Sequence, residues 1–174
     1  LLRDRSGLLR IGLWQGGLQR YNPSLAVRTL RHRAGSGEGP SKLGAGALLA
    51  LDDGRLLIGT NGNGIDIYDR AEGVVSGHRP DGKPGSLPAE SISSLVQGAD
   101  GSLWAGTLIS GVYRLGAGDS IWHRYATAQG LPGASVHSML LDAEGRLWLG
   151  SSTGVFRHDP AADRFDPVPG AEAA

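Results

Sequence analysis

Three observations predict that this chain is all-β and built as a β-propeller of about four consecutive four-stranded antiparallel blades. The sequence repeats itself with a period in the forties, each repeat contains short apolar runs of strand length, and acidic-glycine pairs punctuate those runs.

The repeat comes first. Four segments align on their glycines: SGLLRIGLWQGGLQRY from Ser6, DGRLLIGTNGNGIDIY from Asp53, DGSLWAGTLISGVYRL from Asp100 and EGRLWLGSSTGVFRH from Glu144. Their opening glycines, Gly7, Gly54, Gly101 and Gly145, stand 47, 47 and 44 residues apart. A second series, Gly12, Gly59, Gly106 and Gly150, follows five residues later in each unit, and a third is Gly17, Gly64, Gly111 and Gly154. Units of this length cannot bury their apolar faces alone and must stack on one another.

Each unit divides into four strands, named a to d in chain order. Strand a is SISSLVQG from Ser91 and SVHSMLLD from Ser135, with a weaker GALLALD from Gly46. Strands b and c are runs such as SLWAG and GVYRL, about five residues each, too short for helices and bounded by glycine. Strand d is SIWHRYA from Ser120, RFDPV from Arg164 and AVRTLRH from Ala26. Asp53-Gly54, Asp100-Gly101 and Glu144-Gly145 precede strand b, where a tight hairpin turn with two positive-φ positions is expected. The blade units are 1–35, 41–80, 88–126 and 132–168, within one propeller fragment spanning 1–174.

The central strands are apolar on both faces, as suits a sheet sandwiched between neighbours. Trp104 and Trp148 occupy equivalent positions in strand b, filled by Leu57 and Arg10 in the other units. A large aromatic there buries much apolar area, so both are read as packing between blades rather than as a sugar-stacking platform. The first unit is expected to start at strand b, because Leu1 to Ser6 leave no room for strand a, and the tail after Arg164 holds a d strand at most. Unsealed edges expose backbone donors and acceptors, so an incomplete arc of a ring of about six to eight blades is expected.

Composition excludes several function classes. The 17 basic and 17 acidic residues cancel, which removes the electrostatic footprint of a nucleic-acid binder. With no cysteine there is neither a disulfide framework nor a thiolate metal site. No run of 18 apolar residues exists, so any membrane anchor or export signal is expected outside this sequence.

The pattern Asp-x-x-Gly-x-Leu-Trp-x-Gly-Thr followed by Gly-Leu/Val-x-Arg resembles the two-component regulator propeller repeat. It reads DGSLWAGT and GVYR between Asp100 and Arg114, and EGRLWLGS and GVFR between Glu144 and Arg157. DGRLLIGT with GIDIY is a third match, with Leu57 for the tryptophan and Ile67 for the arginine; the first unit departs furthest, with Arg10 and Leu13 for the tryptophan and threonine. The linkers GSLPAESISSL and QGLPGASVHSM also fit the family. The resemblance implies a non-catalytic, ligand-sensing module of a bacterial transmembrane signalling protein, on the periplasmic side of the inner membrane. Its implied ligand is a small molecule or glycan. Its other partners are the remaining blades of the parent propeller, or a second copy in a homodimer, with the membrane reached only through segments outside this chain.

In a propeller the b–c and d–a loops share one face around the central channel, where ligands meet several loops at once. From the b–c loops the candidates are Trp14, Gln15, Asn61 and Asn63; Trp14 lies beyond strand b, where an aromatic need not be core. The longest d–a loop, HRPDGKPGSLPAE, adds Asp81 and Lys83 beside His78 and Arg79. His137 completes the set, on an a strand that would line the channel. The five histidines lie at 32, 78, 123, 137 and 158, without the close spacing of a zinc motif. No catalytic residue, metal ligand or cofactor is assigned. The alternatives are a metal-dependent lyase-type propeller using His137, and a protein-interaction scaffold of the WD-repeat kind, whose Gly-His and Trp-Asp marks are missing.

Overall fold

A computed structural model describes residues 2–3, 8–13, 17–22, 25–30, 39–69, 72–132 and 135–172. These hold four sheets, each of four consecutive strands in antiparallel meander order. The first contains β1 (Leu2–Arg3), β2 (Leu9–Leu13), β3 (Gly17–Asn22) and β4 (Leu25–Leu30); the second β5 (Ala45–Ala50), β6 (Leu56–Thr60), β7 (Ile65–Asp69) and β8 (Gly73–His78). The third contains β9 (Ile92–Gln97), β10 (Leu103–Thr107), β11 (Val112–Leu115) and β12 (Trp122–Tyr125). The fourth contains β13 (Val136–Leu141), β14 (Leu147–Ser151), β15 (Gly154–Asp159) and β16 (Arg164–Glu172). Each sheet has the form of a propeller blade.

The chain divides into two compact units, Leu1–Asp81 with Pro88–Ile92, and Gly82–Leu87 with Ser93–Ala174. In the first, Leu56, Ile58 and Tyr68 form a core with Ala45, Leu48 and Ala50 around them. Every residue of β6 is buried, as the unbroken apolar run LLIGT requires of a sheet covered on both faces. In the second unit the core joins Val96, Trp104, Val112 and Tyr125 of one blade to Val136, Met139, Leu149, Phe156 and Phe165 of the next. Trp104 is 5% exposed and meets Tyr125, Phe165 and His158 at ring separations of 5.2, 6.1 and 4.9 Å, which bears out its reading as packing. Trp148 is only half-buried.

The turns joining the a and b strands differ from expectation. Gly54, Gly101 and Gly145 donate their N–H to the carbonyls of Leu51, Gly98 and Asp142 at 3.1, 2.9 and 3.0 Å, and each has positive φ, at 86°, 77° and 76°. The preceding acidic residues do not, so only one position is left-handed. This is a type I turn followed by a glycine bulge, not the primed turn expected of Asp-Gly. The acidic side chain has another use: Asp53 Oδ1 accepts from the N–H of Arg55 at 3.0 Å and Asp100 Oδ1 from that of Ser102 at 3.0 Å.

One strand expectation is also corrected, and two strands go beyond what was expected. The first blade does have an a strand, since Leu2 and Arg3 pair with Arg10 and Leu9, and two residues suffice for a short edge. β8, GVVSGH, carries glycine at both ends and was not anticipated, yet it pairs with β7 from Asp69↔Gly73 to Ile65↔His78. β16 runs on to Glu172 through Pro167 and Pro169, which an outer strand tolerates because its outward N–H groups need no ladder partner.

Candidate functional site

The loops between the b and c strands are built by one hydroxyl. Thr60 Oγ1 donates to the carbonyl of Gly64 at 2.8 Å and accepts from the N–H of Asn63 at 3.2 Å. Thr107 repeats this with Gly111 at 2.9 Å and Ser110 at 3.0 Å, and Ser151 with Gly154 at 3.2 Å and Thr153 at 3.1 Å. Gly64 and Gly111 are required by what lies behind them: Gly111 has φ 95°, and a Cβ on it would stand 2.5 Å from the carbonyl oxygen of Tyr125, as one on Gly64 would meet that of His78.

In the second blade this loop is drawn between two incoming segments of the same unit. Asn61 donates its N–H to Gly44 at 3.1 Å, and Gly62 to Glu90 at 3.2 Å. The Asn61 side chain accepts from Ser91 Oγ at 2.6 Å, and Asn63 Nδ2 donates to Ser41 Oγ at 2.9 Å. Behind them Asp66, with no exposed surface, accepts from the Ser41 N–H at 2.6 Å and pairs with the Arg79 guanidinium at 2.5 Å. The same Arg79 nitrogen reaches the carbonyls of Asn63 at 3.1 Å and Ile65 at 3.4 Å, while 37% of its side chain stays exposed. A buried carboxylate is tolerated because it is paired and hydrogen-bonded. Burial, followed by the neighbouring Arg79 charge, holds His78 below the usual imidazole range.

Of the predicted site residues, Asn61 and Asn63 are brought together on one loop. Trp14 and Gln15 lie outside the described residues. Asp81 and Lys83 are exposed and fall on either side of the division between the units. His137 is exposed on β13, in the second unit. The sequence reading passed over Asp66, Ser41 and Ser91. The signal for Asp66 was available: two residues after the third-series glycine the third and fourth blades carry Tyr113 and Phe156, both buried, and here an aspartate takes that core position. It also passed over Leu108 and Ile109, which stand 37% and 68% exposed on the third blade's loop.

In the second unit a polar string borders the aromatic core. Tyr125 donates its hydroxyl to Asp163 Oδ1 at 2.7 Å, and His158 Nε2 lies 3.4 Å from the same oxygen. Burial, reinforced by the Asp163 bond and charge, pushes the Tyr125 hydroxyl up to about 12. Burial also lowers His158, against the pull of Asp163.

The profile described as Two component regulator propeller matches residues 86–108 and 130–153. Among solved structures, the extracellular domain assigned to a one-component system of B. thetaiotaomicron superposes with TM-score 0.74 at 21% identity, over 97% of this chain and 21% of that one. The extracellular domain assigned to a hybrid two-component system of the same organism gives TM-score 0.65 at 18% identity, over 94% and 27%. Virginiamycin B lyase from Staphylococcus aureus gives 0.72 at 13% identity, over 97% and 55%. These likenesses show the β-propeller fold. The chain spans about a quarter or less of the two extracellular domains, and just over half of the lyase. No curated protein matches it in sequence. Among the described residues no helix is long and apolar enough to cross a membrane.

Proposed function

We propose that residues 1–174 are part of a non-catalytic, ligand-sensing propeller on the extracytoplasmic side of a bacterial transmembrane signalling protein. The observation that carries this reading is the loop end of the second blade, which bears Asn61 and Asn63 and where the partly exposed Arg79 guanidinium meets the Asn63 carbonyl, in a chain whose residues 86–108 and 130–153 match a regulator family. Amide groups beside a guanidinium whose charge Asp66 balances suit an oxygen-rich ligand such as a glycan or small sugar acid. Such ligands are held by a few placed polar groups. Trp14, Gln15, Asp81, Lys83 and His137 are the further contacts of this reading.

The test is calorimetric titration of the full ectodomain with a panel of oligosaccharides and sugar acids. Binding that weakens about tenfold in Asn61→Ala, the loss of one or two hydrogen bonds, supports the reading. Turnover of a substrate that His137→Ala abolishes would replace it with the lyase-type alternative.

A further inference from the structure

The second blade departs from the third and fourth at one pair of facing positions, and the departure seats a guanidinium. β7 pairs Asp66 with Gly77 of β8, where β11 pairs Tyr113 with Arg124 and β15 pairs Phe156 with Pro167. A buried carboxylate thus takes the place of an aromatic, and the residue across from it has no side chain. The Arg79 side chain fills that space: a Cβ on Gly77 would stand 2.7 Å from its Cζ and 2.8 Å from its Nη2. Any side chain at Gly77 would push the guanidinium away, so glycine is what lets it lie over the strand and reach Asp66.

The bonds of this guanidinium are one-sided. Nη1 donates to Asp66, to the carbonyls of Asn63 and Ile65, and to Ser41 Oγ. Nε and Nη2 make no bond to any described residue, and neither is buried. The Nε–H and the Nη2 hydrogen beside it form the side-on fork with which arginine grips both oxygens of a carboxylate. An ion pair that served only to tie down the segment at Ser41 would need no glycine cradle beneath the opposite edge. Here Asp66 and Gly77 hold the guanidinium still and leave its fork presented, so little freedom is lost when a ligand arrives. The Asn63 amide is its neighbour, because Nδ2 donates to the same Ser41 Oγ, at 2.9 Å, that Arg79 Nη1 meets at 3.3 Å. Asn63 Oδ1 makes no bond among the described residues and is open to a ligand hydroxyl.

We infer that the Nε/Nη2 edge of Arg79 is a carboxylate-binding site, and that the ligand sensed at this loop end is a uronate: the fork takes its carboxylate and Asn63 a neighbouring hydroxyl. This rests on the ligand-sensing reading and narrows it from oxygen-rich ligands in general to acidic sugars. Because Asp66 already balances the guanidinium charge, selectivity comes from the two matched oxygens rather than from long-range attraction. A methyl ester keeps the sugar ring but loses both the charge and the equivalence of those oxygens, and should be refused.

In the full ectodomain the Nε–H resonance of Arg79, assigned by its loss in Arg79→Lys, reports on the fork directly. Glucuronate is expected to shift it saturably, while methyl glucuronate ester and glucose leave it in place. Arg79→Lys keeps a positive charge but has no fork, and should weaken glucuronate about tenfold or more in calorimetry. An Nε–H that glucuronate does not move, or that the ester and glucose move equally, overturns the inference. So does an Arg79→Lys variant that loses stability yet binds glucuronate as the parent does, which would leave Arg79 a structural tether. Binding of neutral oligosaccharides alongside any of these results keeps the sensing reading intact, whereas substrate turnover that His137→Ala abolishes removes that reading itself.

Discussion

Thr107 shows how one hydroxyl shapes a loop between the b and c strands. It is fully buried, donates to Gly111 and accepts from the Ser110 N–H, so valine of the same shape would remove both bonds. Thr107→Val is therefore expected to cost about 1–3 kcal/mol, two hydrogen bonds at about 0.5–1.5 kcal/mol each, while Thr107→Ser costs less because the hydroxyl survives. Urea denaturation of the two variants checks this, and equal losses would mean that the methyl group rather than the hydroxyl stabilises the loop. In the sequence of the first blade Leu13 holds this position.

At the scale of elements, the a–b turns separate backbone conformation from packing. Gly145 has φ 76°, and a Cβ there would meet nothing within 4 Å. Gly145→Ala should cost about 1 kcal/mol from the left-handed backbone alone, and Gly145→Asn less, because asparagine enters that region more readily. Thermal melts of both variants test the order Gly above Asn above Ala. The b and c strands were legible because the three glycine series bracket apolar runs. β8 was not, because its glycines resemble a loop and its pairing to β7 is a tertiary fact. The turn type was misread because Asp-Gly serves two hairpin geometries, and only the hydrogen bond to the residue three places earlier distinguishes them. The candidate site was legible as a loop bearing Asn61 and Asn63. Its foundation was not, because Asp66 lies on β7 and Arg79, 13 residues later, just past the end of β8, and they meet only when β7 pairs with β8.

For the whole molecule, the titrating groups define a pH window for stability. His78 in the first unit and His158 in the second have folded pKa values below the ordinary 6.5, burial being the first cause in both. The fold favours their neutral form, so their contribution is complete above 6.5 and is lost as pH falls below it and the unfolded chain takes up protons. Asp142 adds a second, acidic limb. Burial disfavours its ionised form, but bonds from Trp148 and Arg146 outweigh that and hold it at about 2, so its contribution is lost between 3.8 and about 2. Tyr125 acts at the other end. Its folded value of about 12 exceeds the ordinary 10.0, so the fold favours the protonated phenol, and that contribution declines as pH rises from 10 towards 12. Stability is therefore expected to be flat between about pH 6.5 and 10 and to fall on both sides. Denaturant melts across pH measure this directly. Tyr125→Phe should lower the plateau by the lost bond to Asp163 and flatten the alkaline limb between 10 and 12. An unchanged alkaline limb in that variant would assign the loss to groups other than Tyr125.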